Sequence, residues 1–258
     1  FISVSGWKIP HFTTSAAVVG TGAAGYNAAD SLHSLGVTDV LMITEGRMMG
    51  TSRNTGSDKQ TYYKLNLSGG VKDSVYDMAK ALMRGGSMHG DIALTDAALS
   101  ARGFFKLVGL GVPFPMNEFG EYVGYKTDHD ETTRATSCGP LTSKYMTEAL
   151  ERSVMEKGIQ ILDSQRVIKI LTDAKSVTGV ACADTCTGEI SVLGCQNVIL
   201  CTGGPAGIYK NTVYPESQHG ATGLAIDAGA ELSNMEQWQY GIASTAFRWN
   251  LSGTYQQV

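Results

Sequence analysis

The chain has 258 residues, of which 43% are hydrophobic and 17% charged, and its formal net charge is −4 at pH 7. This composition excludes a disordered tail, which would be poor in hydrophobic residues and highly charged. The acidic balance leaves no basic footprint for nucleic acid, and no window approaches 18 uncharged apolar residues, so no membrane span is expected. The 31 glycines make up about 12% of the chain, where roughly 7% is usual.

The chain opens with an aromatic and polar lead-in, residues 1–14, that has no clear period. Ala16–Val19 is a short apolar run that predicts a buried strand, and residues 22–36 carry small and apolar side chains at helical spacing. Val40–Ile43 predicts a second buried strand, which leads to Glu45. Strand, helix and strand within about thirty residues predict a βαβ unit with parallel strands and a right-handed crossover.

The next segments differ in how regular they are. Residues 46–70 are rich in Gly, Ser, Thr and Asn without an apolar period, which predicts a long loop of the kind that is usually functional or disordered. Helices are predicted over 71–85, 92–110 and 142–157, and residues 114–140 are polar and irregular. Short apolar runs then predict five strands and a short final helix, at 159–162, 166–171, 177–183, 190–193, 197–201 and 220–229.

A Gly-x-Gly-x-x-Gly motif lies between the first predicted strand and the first predicted helix, at Gly20, Gly22 and Gly25. Gly20 allows the tight turn, Gly22 lets the backbone approach a pyrophosphate, and Gly25 allows close packing of helix on strand. Ala23 and Ala24 begin the helix, whose free N–H groups and dipole favour phosphate.

Glu45 lies twenty positions after Gly25, at the end of the second strand. A carboxylate there can accept hydrogen bonds from a ribose 2′-hydroxyl, and its charge would repel a 2′-phosphate. The alternative is a glycine turn with an unrelated carboxylate at a strand end. The combined pattern favours a dinucleotide site.

Several further motifs follow in a fixed order over some 220 residues. They are a Gly/Ser loop at 50–57, L-G-V-P-F at 110–114, V-T-G-V at 177–180 with T-G-E at 187–189, V-I-L-C-T-G-G at 198–204, and A-G-A-E-L at 228–232 with Met235-Glu236. Together with Glu45 and the phosphate-binding turn at Gly20–Gly25, here called the cradle, this order resembles the fumarate reductase/succinate dehydrogenase flavoprotein superfamily. That superfamily also includes L-aspartate oxidase.

The resemblance implies an α/β fold: a doubly wound Rossmann-like FAD-binding domain with an inserted β-hairpin or meander. Residues 15–258 would be the N-terminal part of that domain, with the capping domain and the C-terminal FAD-binding segment missing. Residues 46–70 contain no histidine, so the implied FAD is held non-covalently. Beyond the cradle and Glu45, the implied cofactor-binding residues are Gly46, Arg47, Thr51, Ser52, Thr55, Gly56, Ser57, Val167, Thr202, Gly203 and Gly204.

The resemblance also implies hydride transfer at flavin N5 on a CH–CH bond of an organic acid, with an electron donor or acceptor that the sequence does not identify. The better-known members carry Q-F-H-P-T where this chain has Q-Y-G-I-A-S at 239–244, so fumarate and succinate are not the expected substrates. A family arginine is matched by Arg134, and His129 lies near it. These two are candidate catalytic residues, and the alternative for them is a solvated loop with local Asp/Glu–Arg pairs.

Two other functions stay open. One is a non-catalytic FAD-binding or interaction module, and the other is an NAD-dependent Rossmann dehydrogenase, which the loop at 46–70 and the T-G-G turn disfavour. The five cysteines, an odd number without closely spaced pairs, predict free thiols in a reducing cytoplasm and no metal site. The fragment alone is expected to be inactive.

Overall fold

The structure is a computed structural model that describes residues 1–54, 60–127, 130–174, 176–208, 210 and 218–237. The chain divides into two compact units. The first unit comprises Phe1–Thr55 and Leu150–Glu231, and the second comprises Gly56–Ala149 and Leu232–Val258.

The described residues form thirteen strands and six α-helices. The strands are β1 Ile2–Val4, β2 Trp7–Ile9, β3 His11–Thr13, β4 Ala16–Val19, β5 Val40–Ile43, β6 Tyr62–Tyr63, β7 Tyr125–Thr127, β8 Asp130–Thr136, β9 Gln160–Leu162, β10 Gln165–Thr172, β11 Val177–Asp184, β12 Ile190–Gly194 and β13 Asn197–Leu200. The helices are α1 Ala23–Ser34, α2 Thr51–Asn54, α3 Val75–Met83, α4 Gly90–Gly109, α5 Thr142–Glu156 and α6 Thr222–Asp227.

The first unit is built on a parallel sheet in the order β13-β4-β5-β9. Every residue of β4 and β5 is buried, which explains why both strands are continuous apolar runs rather than alternating ones. Ala17 pairs with Leu41 on one side and with Val198 on the other. The predicted strand–helix–strand unit with parallel strands is confirmed.

A second sheet of the first unit, β10-β11-β12-β3, packs against the parallel sheet. Strands β10, β11 and β12 form an antiparallel meander, and β3 pairs with β12 in parallel. Val180 and Leu193 of the meander share one hydrophobic core with Ala17 and Ile43. The meander therefore covers one side of the parallel sheet.

A buried ionic contact joins α1 to the end of α5. Asp30 is 2% exposed, and its carboxylate accepts hydrogen bonds from Ser153 Oγ and from Lys157 Nζ, the latter at 2.6 Å. Lys157 Nζ also donates to Ser34 Oγ at 2.8 Å. A buried carboxylate needs such donors, because its desolvation is unfavourable unless it is paired.

In the second unit, α3 packs on α4 through Met78, Ala79, Ala93 and Ala97, and the small sheet has the order β6-β8-β7. Lys64 is fully buried, with Nζ 4.9 Å from the centroid of the Phe104 ring. Burial lowers the pKa of the Lys64 ammonium group.

The structure corrects the prediction that residues 114–140 are irregular, because β7 and β8 pair there as an antiparallel hairpin. The buried positions of β8 include Asp130 and Arg134, which form an ion pair at 2.7 Å. A buried charged pair gives no apolar alternation, so hydropathy does not reveal this strand.

The predicted loop at 46–70 is also interrupted, by the four-residue helix α2 and the two-residue strand β6. Both elements are too short for a hydrophobic period to show. Residues 1–14 contain β1, β2 and β3, whose side chains are mostly exposed, so no burial pattern marks them.

Within the described part of the chain, no helix combines the length and the apolar character needed to cross a membrane.

Replacing Lys157 with Met should lower the free energy of unfolding by about 2 kcal/mol, since it leaves the buried Asp30 without its cation while Lys157 itself is partly screened by solvent. The matched control is Lys144→Met in α5, where the Lys144–Glu148 pair at 3.9 Å is more exposed and its loss should cost less than about 0.5 kcal/mol. Urea unfolding of both variants measures this. Equal losses in the two variants would contradict the importance of the Asp30 contact.

Candidate functional site

A cleft of about 520 Å³ opens at the carboxyl ends of β4, β5 and β13 in the first unit. In an open parallel sheet, ligands bind outside the carboxyl ends of the strands, at the point where the connections from two neighbouring strands run in opposite directions. The residues that line the cleft are Val19, Gly20, Thr21, Gly22, Ala24, Ile43, Thr44, Glu45, Gly46, Met49, Gly50, Thr51, Ser52, Gln165, Arg166, Val167, Cys201, Thr202, Gly203, Gln218, His219, Gly220, Ala221, Gly223 and Leu224.

Three backbone segments, at Gly20, Gly25 and Cys201, come close together, and neither Gly20 nor Gly25 has room for a side chain. Gly20 has φ +108°, and a Cβ on it would lie 2.4 Å from the carbonyl oxygen of Cys201. A Cβ on Gly25 would lie 1.9 Å from the carbonyl oxygen of Gly20. The turn after β4 therefore requires glycine at both positions, which keeps α1 close to the sheet.

The start of α1 is open to a ligand. Gly22 is the N-cap residue, and no side chain caps the helix or places an acidic group in its first turn. By contrast, the N-cap Ser74 of α3 accepts a hydrogen bond from the Asp77 N–H. Backbone N–H groups at an uncapped helix start form a site for a phosphate or another anion.

Hydroxyl groups connect the strand ends around this turn. Thr21 Oγ1 and Thr44 Oγ1 are hydrogen-bonded at 2.9 Å, and both residues are buried. Gly46 N–H donates to Thr44 Oγ1 at 3.2 Å. On the other side of the turn, a Cβ on Gly22 would lie 3.2 Å from Ser52 Oγ, which places Ser52 against the cradle.

Glu45 lies at the edge of the cleft, where its Oε2 accepts a hydrogen bond from Arg166 Nη2 at 3.0 Å. The Glu45 side chain is 34% exposed and the Arg166 side chain 56%. A carboxylate has about four acceptor positions, so Glu45 keeps capacity for hydroxyl donors of a ligand. The hydrogen bond and the charge of Glu45 raise the pKa of the Arg166 guanidinium.

An ionic cluster holds the segment that follows Glu45. Glu151 of α5 accepts hydrogen bonds from Arg53, from Arg47 Nη2 at 3.1 Å and from Tyr26 Oη at 3.1 Å. The backbone N–H of Arg47 donates to Asp163 Oδ1 at 3.1 Å. Since residues 49–52 line the cleft, these contacts fix one of its walls.

The environment shifts the pKa values of Glu151 and Tyr26 in this cluster. Burial alone would raise the pKa of Glu151, but the hydrogen bonds from Arg53 and Arg47 outweigh it, so the pKa lies below the ordinary value of 4.5. Burial, together with the charge of Glu151, raises the pKa of the Tyr26 phenol.

Most of the cofactor-binding residues predicted from the sequence meet in this cleft. Ten of them line it, namely Gly20, Gly22, Ala24, Glu45, Gly46, Thr51, Ser52, Val167, Thr202 and Gly203. Four others are chain neighbours of these residues without lining the cleft themselves, namely Ala23, Gly25, Arg47 and Gly204. The remaining three, Thr55, Gly56 and Ser57, lie outside the described residues.

The cleft also contains residues that no sequence pattern marks, namely Arg166, Gln218 and the Gly220–Ala221 segment. Arg166 reaches Glu45 only because β10 lies beside the end of β5, a long-range relation that no local pattern encodes. Gln218 and Gly220 follow a polar stretch with no apolar period. His219 beside Gly220 is the one local feature of this stretch, and this pair is equally consistent with an ordinary turn.

The candidate catalytic residues lie elsewhere. Arg134 belongs to the second unit, is 3% exposed, and its guanidinium contacts Asp130 at 2.7 Å and Asp73 at 3.0 Å. Local Asp–Arg pairing is therefore present, but in a buried rather than a solvated position. His129 lies outside the described residues. Among the described side chains, no group of three or more His, Cys, Asp or Glu is arranged to hold a metal ion.

Comparison with known proteins agrees with this geometry. Residues 15–256 match a family described as the FAD binding domain. An L-aspartate oxidase of Agrobacterium fabrum is 28% identical over 230 residues, covering 86% of this chain and 42% of the relative. A probable fumarate reductase of Shewanella frigidimarina is 29% identical over 199 residues, covering 76% of this chain and 33% of the relative.

Among solved structures, the open conformation of a flavocytochrome c3 fumarate reductase superposes with a TM-score of 0.70 at 23% identity, over 86% of this chain and 41% of that one. This likeness shows a mixed α/β fold of the same kind. The chain spans between a quarter and about two fifths of the length of the curated relatives it matches.

Replacing Gly25 with Ala should disrupt the cradle, because the added methyl group would meet the carbonyl of Gly20. We expect a loss of about 1–3 kcal/mol in unfolding free energy and at least tenfold weaker binding of a dinucleotide, measured by titration. The control is Gly109→Ala in α4, where nothing lies within 4 Å of the new Cβ. Unchanged binding by the Gly25 variant would contradict the close-packing role.

The lowered pKa of Glu151 predicts a pH dependence of stability. A carboxylate whose pKa falls on folding stabilises the native state above its unfolded pKa and loses that contribution as the pH falls through the folded value. Unfolding free energies between pH 7 and pH 3 should therefore decline less steeply in Glu151→Gln, below about pH 4.5, than in the wild type. Parallel curves of unfolding free energy against pH for the two proteins would show that the contacts with Arg47 and Arg53 do not stabilise the Glu151 carboxylate.

Proposed function

The chain belongs to the FAD binding domain family and binds FAD, and from that premise we propose that the cleft at the ends of β4, β5 and β13 is the FAD site. We further propose that the whole protein is a flavin-dependent oxidoreductase that acts on a CH–CH bond of an organic acid. The observation that carries the proposed FAD site is the uncapped start of α1 beside the glycine turn.

Each part of a dinucleotide has suitable residues in the cleft. The backbone N–H groups after Gly22 would hold the pyrophosphate, with the helix dipole in support. Glu45 would accept hydrogen bonds from the adenosine ribose, and Arg166 keeps this carboxylate oriented. Thr51 and Ser52 are small enough to let the cofactor approach the backbone closely.

The region after β13 would accommodate the flavin side of the cofactor. Thr202 and Gly203 follow this strand after Cys201, and Thr202 Oγ1 accepts a hydrogen bond from Ala221 N–H at 3.1 Å. Gly204, Thr55, Gly56 and Ser57 belong to the same proposed set. Held in this way, FAD supplies two-electron hydride chemistry at flavin N5.

The substrate class is proposed from the names of the relatives, a fumarate reductase and L-aspartate oxidases. A small organic acid needs a cationic partner, and Arg134 and His129 remain candidates for a catalytic role. Arg134 would need to exchange Asp73 or Asp130 for the substrate, since it is fully paired in this structure.

The finer fold and the setting of the protein complete the proposal. We propose that the β13-β4-β5-β9 sheet is the doubly wound nucleotide-binding sheet and that the β10–β12 meander is inserted into it. The chain would be the N-terminal part of a larger domain, active only with its remaining segments and located in the cytoplasm. An unidentified electron donor or acceptor would complete the reaction.

The proposal is tested on the full-length protein. Purified protein should carry releasable FAD after denaturation, and anaerobic reduction should bleach the flavin absorbance. Adding an unsaturated organic acid should restore the absorbance while the saturated product accumulates. A protein that takes up no FAD would contradict the proposal, and a yellow protein whose flavin responds to no donor or acceptor would indicate a non-catalytic FAD module.

A further inference from the structure

Gln218 is a polar residue of the cleft wall whose hydrogen-bonding needs are not met. Its Oε1 is buried and accepts no hydrogen bond from any residue that the structure describes. Buried polar atoms in native proteins almost always have a partner, and one without a partner destabilises the folded state. An unsatisfied acceptor in a ligand cleft indicates a position that a ligand donor completes.

The backbone around Gln218 is held in place. The carbonyl oxygen of Gln218 accepts a hydrogen bond from Gly207 N–H at 2.6 Å, and Ala221 N–H donates to Thr202 Oγ1 at 3.1 Å. Gly220 has φ +64° and approaches Pro205 so closely that a Cβ would lie 3.3 Å from it. The backbone carbonyl of Gln218 is therefore satisfied, while its side-chain acceptor is not.

Gln165 provides a contrast in the same cleft. It also lines the wall, but its Nε2 donates to Asp184 Oδ2 at 2.8 Å, and no atom of its amide is buried without a partner. The two glutamines differ in whether the protein itself satisfies their amide groups. Of the two, only Gln218 has a buried amide oxygen without a partner among the described residues.

The strand order indicates which part of the cofactor Gln218 faces. Strand β4 lies between β13 and β5, so the turn at Gly20 is central and Glu45 lies on the β5 side. Gln218 lies on the β13 side, where a Cβ on Gly203 would be 3.6 Å from its Nε2. A dinucleotide with its pyrophosphate at the centre and its ribose at Glu45 extends its other half towards Gln218.

We propose that Gln218 is a cofactor-positioning residue whose amide oxygen accepts a hydrogen bond from a hydroxyl group of the ribityl chain of FAD. This inference rests on the proposed FAD site. The ribityl chain carries several hydroxyl donors between the pyrophosphate and the flavin ring, and a neutral amide can accept from one of them without a charge in the cleft. This hydrogen bond would position the flavin half of FAD and would not contribute to the binding of the adenosine half.

The test compares four variants of the full-length protein after removal of FAD. Gln218→Met keeps the size of the side chain but removes the acceptor, and Gln218→Glu keeps an acceptor. Gln160→Met, at an exposed glutamine outside the cleft, is the control, and Glu45→Arg removes the ribose contact. Flavin fluorescence quenching measures the Kd for FAD, calorimetry measures the Kd for ADP, and thermal unfolding measures the Tm of the FAD-free protein.

Gln218→Met should bind FAD about tenfold more weakly, as expected for the loss of one hydrogen bond, with an unchanged Kd for ADP. Its FAD-free Tm should stay the same or rise, because an unsatisfied buried acceptor has been removed. Gln160→Met should keep the wild-type affinity for FAD. Glu45→Arg should weaken both FAD and ADP. Gln218→Glu, which keeps an acceptor, should recover part of the lost affinity.

Four results would overturn the inference about Gln218: an unchanged Kd for FAD in Gln218→Met, an equal loss of FAD and ADP affinity, a lower FAD-free Tm that accounts for weaker binding, or no recovery in Gln218→Glu. Failure of the proposed FAD site is a separate outcome. In that case the wild-type protein itself takes up no FAD.

Discussion

The close approach of three backbone segments at Gly20 is the constraint on which the site depends. Glycine is required at Gly20 and Gly25, because a Cβ at either position would overlap a carbonyl oxygen of a neighbouring segment. This approach brings the start of α1 to the end of β4 and leaves its N–H groups without a side-chain cap. The close packing of α1 against the end of β4 thus also exposes an anion site. A larger residue at Gly20 or Gly25 would disrupt both the packing and the anion site.

The charged residues around this turn divide into two roles. The pair Glu45–Arg166 is partly exposed at the edge of the cleft, so it contributes little to stability and remains available to a ligand. The cluster of Glu151 with Arg47 and Arg53 is more buried, and its contribution is to hold the 46–54 segment in place. Pre-positioning of a wall in this way reduces the ordering that ligand binding would otherwise require.

Features that depend on contiguous sequence could be predicted, whereas features that depend on contacts between distant parts of the chain could not. The strands β4 and β5, the cradle and Glu45 were predictable because both strands are buried on two faces and the motif is contiguous. Arg166 and Gln218 were not, since strand order places them in the cleft and local patterns do not encode strand order. The hairpin of β7 and β8 was missed because two of the buried positions in β8, Asp130 and Arg134, are a charged pair rather than an apolar one.

The most direct test of the central claim is the structure of the full-length protein with FAD bound, determined by crystallography. The account predicts density for the pyrophosphate within hydrogen-bond distance of the N–H groups at the start of α1, with the adenosine ribose at Glu45. Density for FAD at any other position, with the turn at Gly20 left to solvent, would contradict it.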